Sequence, residues 1–428
     1  MSIITDLLKD IKLPKMVSIR QNFPAEALGD VEAALRAELG RPAIVNRVKK
    51  GMRIAVGVGS RGMAEIPLIT RVVVDELKHC GAEPFVVPAM GSHGGASAEG
   101  QIGVLANLGV TEASAGCPIV SSMEVTDLGV MANGLPVLID KNAFEADGIV
   151  VINRVKAHNA FSGPNESGLV KMITIGLGKQ KGADSCHALG FGHMAEFVVE
   201  MARIKLAKAP FLFGVATVEN AYDKIKKVAA IPAEDIIEEE RTLLTEAKAN
   251  MPKLLLQPID VLVVDQIGKE FSGGGMDPYT TGRAPTPHVT VGPEPNKLVV
   301  LDITDQSHGN ACGMGLADTS TRRLFNKVDF DYTYANNLTS TVTLSGKIPM
   351  IFESDRLAIQ AAIKTCNIAD PAKIRLVRIA NSLNIEEIAV SESLLAEAAG
   401  HPGLTVLGEP ADWVFDAYGN LSKIGKWH

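Results

Sequence analysis

Residues 158–187 hold the side chains of this chain that are best suited to chemistry. The stretch HNAFSGPNESGLVKMITIGLGKQKGADSCH begins at His158, ends at His187 and carries Lys171 between them. Lys171 has apolar neighbours on both sides, and an apolar setting lowers the pKa of an amine and makes it a usable nucleophile. Imidazole is a common metal ligand. The stretch therefore predicts covalent chemistry at Lys171 and a candidate metal ligand in His187.

A third histidine, His93, lies in the sequence GSHGG directly after an apolar run that is predicted to be a strand. Its glycine neighbours give the loop little to pack and allow a close approach to a substrate. His158 also follows a predicted strand, so both histidines are expected at the same edge of one sheet. Because imidazole titrates near neutral pH, the pair predicts proton transfer in a shared site.

The sequence does not predict a metal site built from protein ligands alone. It has no HExxH motif, and its five cysteines form no CxxC pair. A metal bound at His187 would take most of its ligands from something other than the protein. The nearby glycines Gly176 and Gly178 are candidates for presenting backbone N–H groups to a phosphate.

Two arginines and a further histidine are weaker candidates. Arg61 lies in the stretch Gly57–Gly62, which has the G-x-G-x-x-G spacing of a dinucleotide site. No carboxylate ends the next predicted strand, so a glycine turn near a ligand is the favoured interpretation, and an NAD site remains an alternative. Arg283 and His308 could each bind a substrate carboxylate or be structural.

The elements that would position these residues are short apolar strands alternating with helices. This alternation predicts parallel sheets covered on both faces, arranged as two α/β domains with the active site in a cleft between them. The expected domains are residues 1–255 and 256–400, with a tail at 401–428 that packs back on the first domain. A net charge of −7 and the absence of a long apolar run predict a cytoplasmic protein with no nucleic-acid or membrane partner.

These motifs resemble a known family. GSHGG, a strand that ends at a histidine, the pattern SG-x-x-K and a histidine sixteen residues after that lysine are similar to the nickel-pincer lactate racemases and their homologues. The resemblance spans roughly residues 50–310. It is most specific between Lys171 and His187.

The resemblance implies a pyridinium mononucleotide cofactor that carries nickel. In that family two sulfurs and a ring carbon of the cofactor, together with one histidine, hold the nickel, and a thioamide joins the cofactor to a lysine. By motif, Lys171 is then the covalent anchor and His187 the nickel ligand. His93 and His158 are the paired acid/base residues. Arg61 holds the carboxylate of the substrate.

The implied reaction is racemisation or epimerisation of a 2-hydroxy acid, with the biosynthesis enzymes of the cofactor as partners. A histidine can take the hydroxyl proton while the cofactor accepts the α-hydrogen as hydride. The planar 2-keto acid can then receive the hydride on its other face. Because the two stereoisomers place their hydroxyls differently, the reaction needs two acid/base groups.

The sequence departs from the family at three places. The family motif Asp-x-Thr-Arg-Pro is Val58-Gly59-Ser60-Arg61-Gly62 here. Three extra residues separate His158 from Lys171. A lysine of the family's second domain is replaced, and Arg283 is the candidate for its place. These departures predict a substrate other than lactate.

Two other functions stay open at the level of sequence. An NAD-dependent oxidoreductase would use the stretch Gly57–Gly62 and leave Lys171 unmodified. A non-catalytic relative would bind a nucleotide or a hydroxy acid as a sensor or carrier, and replacing His93 or His158 would then change affinity alone.

Overall fold

A computed structural model describes residues 3–60 and 62–423 and divides the chain into two compact units. One unit runs from Pro24 to Met251. The other joins the segment that ends at Phe23 to the chain from Pro252 onward. Both units alternate strands with helices, so the predicted α/β class with mainly parallel sheets is confirmed.

The strands are β1 Met16–Gln21, β2 Arg53–Val58, β3 Glu83–Pro88, β4 Val125–Val130, β5 Pro136–Asp140, β6 Gly148–Arg154, β7 Phe211–Glu219, β8 Ile225–Pro232, β9 Val261–Ile267, β10 Lys297–Ile303, β11 Thr319–Thr321, β12 Met350–Phe352, β13 Leu376–Ile379, β14 Glu387–Ser391 and β15 Leu404–Val406. The α-helices are α1 Ile3–Leu8, α2 Val31–Leu39, α3 Pro42–Val45, α4 Ile66–His79, α5 Ala98–Asn107, α6 Glu112–Ala115, α7 Lys141–Phe144, α8 Leu169–Lys171, α9 Lys179–His187, α10 Met194–Lys208, α11 Ile236–Asn250, α12 Pro278–Thr281, α13 Arg322–Lys327, α14 Phe330–Thr339, α15 Asp355–Thr365 and α16 Leu395–Gly400. None of these helices is long and apolar enough to cross a bilayer.

The unit at 24–251 is built on a sheet with the strand order β3-β2-β6-β7-β8, in which only β8 runs antiparallel to its neighbour. Its strands are mainly apolar because helices cover both faces and bury successive side chains, such as Val150 and Val151. Helix α4 shows the matching pattern, since Ile69, Val73 and Leu77 repeat every four residues and face the sheet.

The order of the strands fixes where a ligand can bind in this unit. The chain passes from β2 to β3 on one side and returns to place β6 on the other side of β2. Ligands of open α/β sheets bind beyond the carboxyl ends of the strands at such a reversal. The loops that follow β2, β3 and β6 are therefore the ones expected to form a site.

The other unit contains a sheet with the order β12-β11-β10-β9-β13-β14-β1-β15 among the described strands. Strand β1 pairs antiparallel with β14 and β15. Its alternating burial puts Val17 and Ile19 into the core of this unit. The expected domain boundary is thus wrong for the first 23 residues, because the short run MVSIRQ was not predicted to be a strand, and it pairs between β14 and β15 of this sheet.

The predicted packing of the tail is also wrong for its described residues, 401–423. The Trp413 indole donates a hydrogen bond to the Pro14 carbonyl at 2.9 Å. The Leu421 amide donates to an Asp355 carboxylate oxygen at 2.8 Å. The tail therefore belongs to the unit that contains β1 and the C-terminal half of the chain.

We expect Ile19→Ala to lower the free energy of unfolding of the second unit by about 2–5 kcal/mol, the usual cost of a buried cavity. Ser18→Ala, at the neighbouring exposed position, is the matched control. Trp413 belongs to this unit, and residues 24–251 contain no tryptophan, so urea denaturation followed by tryptophan fluorescence measures it. An unchanged fluorescence transition would contradict the assignment of β1 to this unit.

Candidate active site

The loops after β2 and β3 meet through a serine and a histidine. The Ser60 Oγ lies 2.5 Å from His93 Nδ1. A histidine whose Nδ1 is engaged in this way has its ring direction fixed and presents Nε2 for proton transfer. The next residue, Arg61, was predicted to bind the substrate carboxylate. It lies outside the described residues.

The side chain of Gln101, on α5, is fully buried and holds the loop of His93 in place. The amide nitrogen of Gln101 donates to the carbonyl of Gly91 at 2.9 Å and to that of His93 at 3.3 Å. The Gly91 amide donates to the Gly176 carbonyl at 3.1 Å. These bonds tie the backbone on both sides of the imidazole to neighbouring elements.

Lys179 extends this network to the helix that ends at His187. Its fully buried ammonium contacts Gln101 Oε1 at 3.1 Å, the Pro88 carbonyl at 2.7 Å and an Asp140 carboxylate oxygen at 3.0 Å. Burial lowers the pKa of Lys179, and Asp140 opposes that shift. The residue has a φ of +54°, a strained value for a lysine that the surrounding contacts must maintain.

His158 lies in the loop after β6. Its backbone amide donates to Glu166 Oε2 at 2.7 Å, and its Nδ1 accepts from the Ala160 amide at 3.1 Å. The ring packs against Phe161 and Phe191, with centroids 4.4 and 6.0 Å away. Because Nδ1 accepts a hydrogen bond, the proton of the neutral ring is on Nε2.

Lys171 ends the short helix α8 and is followed by a π-helix, Met172–Gly176. The buried carboxylate of Glu240, on α11, accepts from the Val170 amide at 2.9 Å and so caps the start of α8. Burial raises the pKa of Glu240 to about 7. A Cβ on Gly168 would lie 2.4 Å from this carboxylate, so only glycine fits at the start of the helix.

His187 ends α9 and has the tautomer that a metal ligand needs. Its Nδ1 is 2.7 Å from the Ala183 carbonyl, so Nδ1 carries the proton and Nε2 carries the lone pair. Burial lowers the pKa of His187, and the charge of Lys171 lowers it further. Its ring contacts Phe191 edge-on at 5.7 Å. The rings of His158 and His187 therefore both pack against Phe191, and Lys171 is close enough to influence the ring of His187.

The glycines predicted to hold a phosphate are explained by packing. A Cβ on Gly176 would lie 2.7 Å from the Ala89 carbonyl oxygen. A Cβ on Gly178 would lie 2.6 Å from the Thr174 carbonyl oxygen, and the Gly178 amide already donates to the Ile175 carbonyl. Their positions give no support to phosphate binding by these amides.

The stretch Gly57–Gly62 does not have the geometry of a dinucleotide site. Gly57 lies inside β2, where a Cβ would meet the Val151 side chain. The following helix begins only at Ile66. A pyrophosphate site needs the glycines in the turn that leads directly into the helix. The NAD alternative is therefore not supported.

Arg283 and His308 lie in the other unit. The guanidinium of Arg283 contacts the carboxylates of Glu294 and Asp318 at 2.6 and 2.8 Å and donates to the Leu316 carbonyl. These contacts indicate a structural role. His308 ends a 3-10 turn with a φ of +48°.

Most of the polar side chains that hold these loops in place were not predicted from the sequence. Among the described residues no three His, Cys, Asp or Glu side chains cluster as a metal site. The polar side chains that position the loops are Ser60, Gln101, Asp140, Glu166, Lys179, Lys205 and Glu240. A signal was present for Glu166 alone, which lies in the extra residues between His158 and Lys171.

Comparison with known proteins is informative for the first part of the chain. Residues 8–197, which include all four of His93, His158, Lys171 and His187, match the model of the lactate racemase N-terminal domain. A crystal structure of a Thermotoga maritima protein is similar at 15% identity and a TM-score of 0.50, over 82% of this chain and 94% of that one. The lactate racemase apoprotein of Thermoanaerobacterium thermosaccharolyticum is similar at 14% identity and a TM-score of 0.47, over 79% and 87%. No curated protein matches the chain. At 15% identity the likeness to the Thermotoga maritima protein shows a common fold alone.

Lys179→Met should lower the free energy of unfolding by about 3–5 kcal/mol, because it leaves the Asp140 carboxylate buried without its cation. Adding Asp140→Asn removes that charge and should restore most of the loss. Lys181→Met, at an exposed position of the same helix, is the control. Urea denaturation followed by far-UV circular dichroism measures all three. If Lys179→Met has the same free energy of unfolding as the wild type, the ion pair does not maintain the strained turn at Lys179.

Proposed function

We propose that the chain is a divergent relative of the lactate racemases and that it is a racemase or epimerase of a 2-hydroxy acid that uses a covalently bound nickel-pincer nucleotide. The observation that carries the proposal is the grouping of Lys171 and His187 with two histidines at the sheet edge where the strand order reverses. Each of the four side chains is engaged in a way that suits its proposed role.

The residues fit a cofactor that brings most of its own metal ligands. His187 has its Nδ1 proton bonded to Ala183, which leaves Nε2 as the nitrogen for nickel, and burial keeps the ring neutral. Lys171 is half-buried and lies within electrostatic reach of His187. In the proposal Lys171 is the covalent anchor. When bound, the cofactor supplies an acceptor for the α-hydrogen as hydride.

The two acid/base histidines have complementary protonation states. The neutral ring of His158 carries its proton on Nε2 because Nδ1 accepts from the Ala160 amide. His93 can carry its proton on Nδ1 and donate it to Ser60 Oγ, so that its Nε2 takes a proton. His93 then accepts the hydroxyl proton of one stereoisomer. His158 donates its Nε2 proton to the keto oxygen when the other stereoisomer forms.

Intact-protein mass after co-expression with the biosynthesis enzymes of the cofactor, in medium supplemented with nickel, tests the anchor. We expect a nucleotide-sized adduct that maps to Lys171, its loss in Lys171→Arg, and its retention in Lys181→Arg. Lys181 is an exposed lysine of α9 and serves as the matched control. An unmodified wild-type chain, prepared beside a racemase that is modified, would overturn the proposal.

His93→Gln should keep the adduct and the nickel but slow racemisation by about a hundredfold or more, the usual contribution of a general acid or base. The exposed His193 supplies the control His193→Gln, which should have no effect. Chiral chromatography of a panel of 2-hydroxy acids measures the rate, and elemental analysis measures nickel per chain. Loss of nickel in His93→Gln would mean that His93 is a ligand or a structural residue.

A further inference from the structure

Lys205 is a fully buried lysine that the proposed reaction does not use. It lies on α10, and its ammonium donates to the carbonyls of Ile173 and Thr174 at 3.0 and 2.7 Å. Burial lowers its pKa to about 7. Burying a cationic group is costly. The contact of Lys205 with the residues that follow Lys171 therefore needs a physical explanation.

The π-helix provides that reason. In a regular α-helix the amides of Leu177 and Gly178 would donate to the carbonyls four residues earlier, those of Ile173 and Thr174. Here the Leu177 amide donates to the Met172 carbonyl at 2.9 Å, and the Gly178 amide donates to the Ile175 carbonyl at 3.2 Å. The two carbonyls that lose their helical donors are the two that Lys205 contacts.

The interruption of the helix between Lys171 and His187 matters because a continuous regular helix could not bring these two residues together. Sixteen residues of continuous helix would place Lys171 and His187 about 160° apart around the axis and about 24 Å apart along it. Here the first helical segment ends at Gly176, and α9 begins with Lys179 in the left-handed conformation.

We propose that Lys205 is a positioning residue for Lys171, and that its two hydrogen bonds maintain the π-turn that directs Lys171 into the site. The proposal rests on the function proposed above for Lys171. It makes a prediction that a purely structural role does not make. Losing a lysine that only supports the fold would affect exchange across the whole unit, whereas losing one that positions Lys171 should change residues 169–178 and the reactivity of Lys171 above all.

The test compares Lys205→Met with Lys205→Arg, which keeps a donor, and with the control Lys208→Met. Lys208 is an exposed lysine one turn further along the same helix, and it donates to the Leu128 carbonyl at 2.6 Å. Three properties are measured on the full chain without cofactor. They are hydrogen exchange of residues 169–178, the rate of acetylation of Lys171 by acetic anhydride, and the midpoint of urea unfolding.

We expect Lys205→Met to speed exchange of residues 169–178 about tenfold or more, the effect of losing hydrogen bonds to a charged group. The acetylation rate of Lys171 should change with it, and exchange elsewhere in the unit should change much less, although the two unsatisfied carbonyls should also lower the unfolding midpoint. Lys205→Arg should restore both local properties, and Lys208→Met should change neither. If Lys205→Met does not fold, Lys205→Gln is judged by the same criteria.

The same acetylation and exchange with Lys205→Met as with wild type would overturn the proposal. So would a uniform rise in exchange across the unit that Lys205→Arg fails to reverse. The adduct on Lys171 is measured separately by intact mass. A wild-type chain that takes up no cofactor would refute the proposed function, while the exchange and acetylation data would still decide whether Lys205 positions Lys171.

Discussion

The break in the helix between Lys171 and His187 is the constraint on which the rest of the site depends. A π-turn followed by a left-handed residue leaves backbone groups without helical partners, and buried backbone groups must be satisfied. Two fully buried charged side chains meet this need, and a third fixes the end of the break. Glu240 accepts from the amides at the start, Lys205 donates to the carbonyls in the middle, and Lys179 anchors the end.

Close backbone approach joins this segment to the sheet. A Cβ on Gly59, at the end of β2, would lie 2.7 Å from the Met172 side chain, and the Gly91 amide donates to the Gly176 carbonyl. The loops after β2 and β3 therefore lie directly against the segment that carries Lys171. This contact brings the loop of His93 close to the segment of Lys171 although their elements are far apart in the sequence.

The sequence predicted the class of the fold and the edge of the sheet where the site lies, because continuous apolar strands and the polar residues that follow them are local patterns. It did not predict that β1 pairs with β14, since that pairing joins residues more than 360 positions apart. Nor did it distinguish buried charges from exposed ones. Glu240 lies in the run EEER and Lys205 in RIKLAK, and both stretches are typical of solvated helix faces.

The loop between His158 and Lys171 is held in place by charged groups of the same unit. It includes Glu166, which is fully buried. The carboxylate of Glu166 accepts from the amides of His158 and Gly163 at 2.7 and 3.0 Å and pairs with Lys248 of α11 at 2.6 Å. A longer loop has more conformational freedom to lose, and these three contacts restrict it at the histidine itself. Helix α11 thus holds both ends of the segment, through Lys248 at His158 and through Glu240 at Lys171. The charged stretch that interrupts the alternation of strands and helices in the sequence is therefore part of the support of the site.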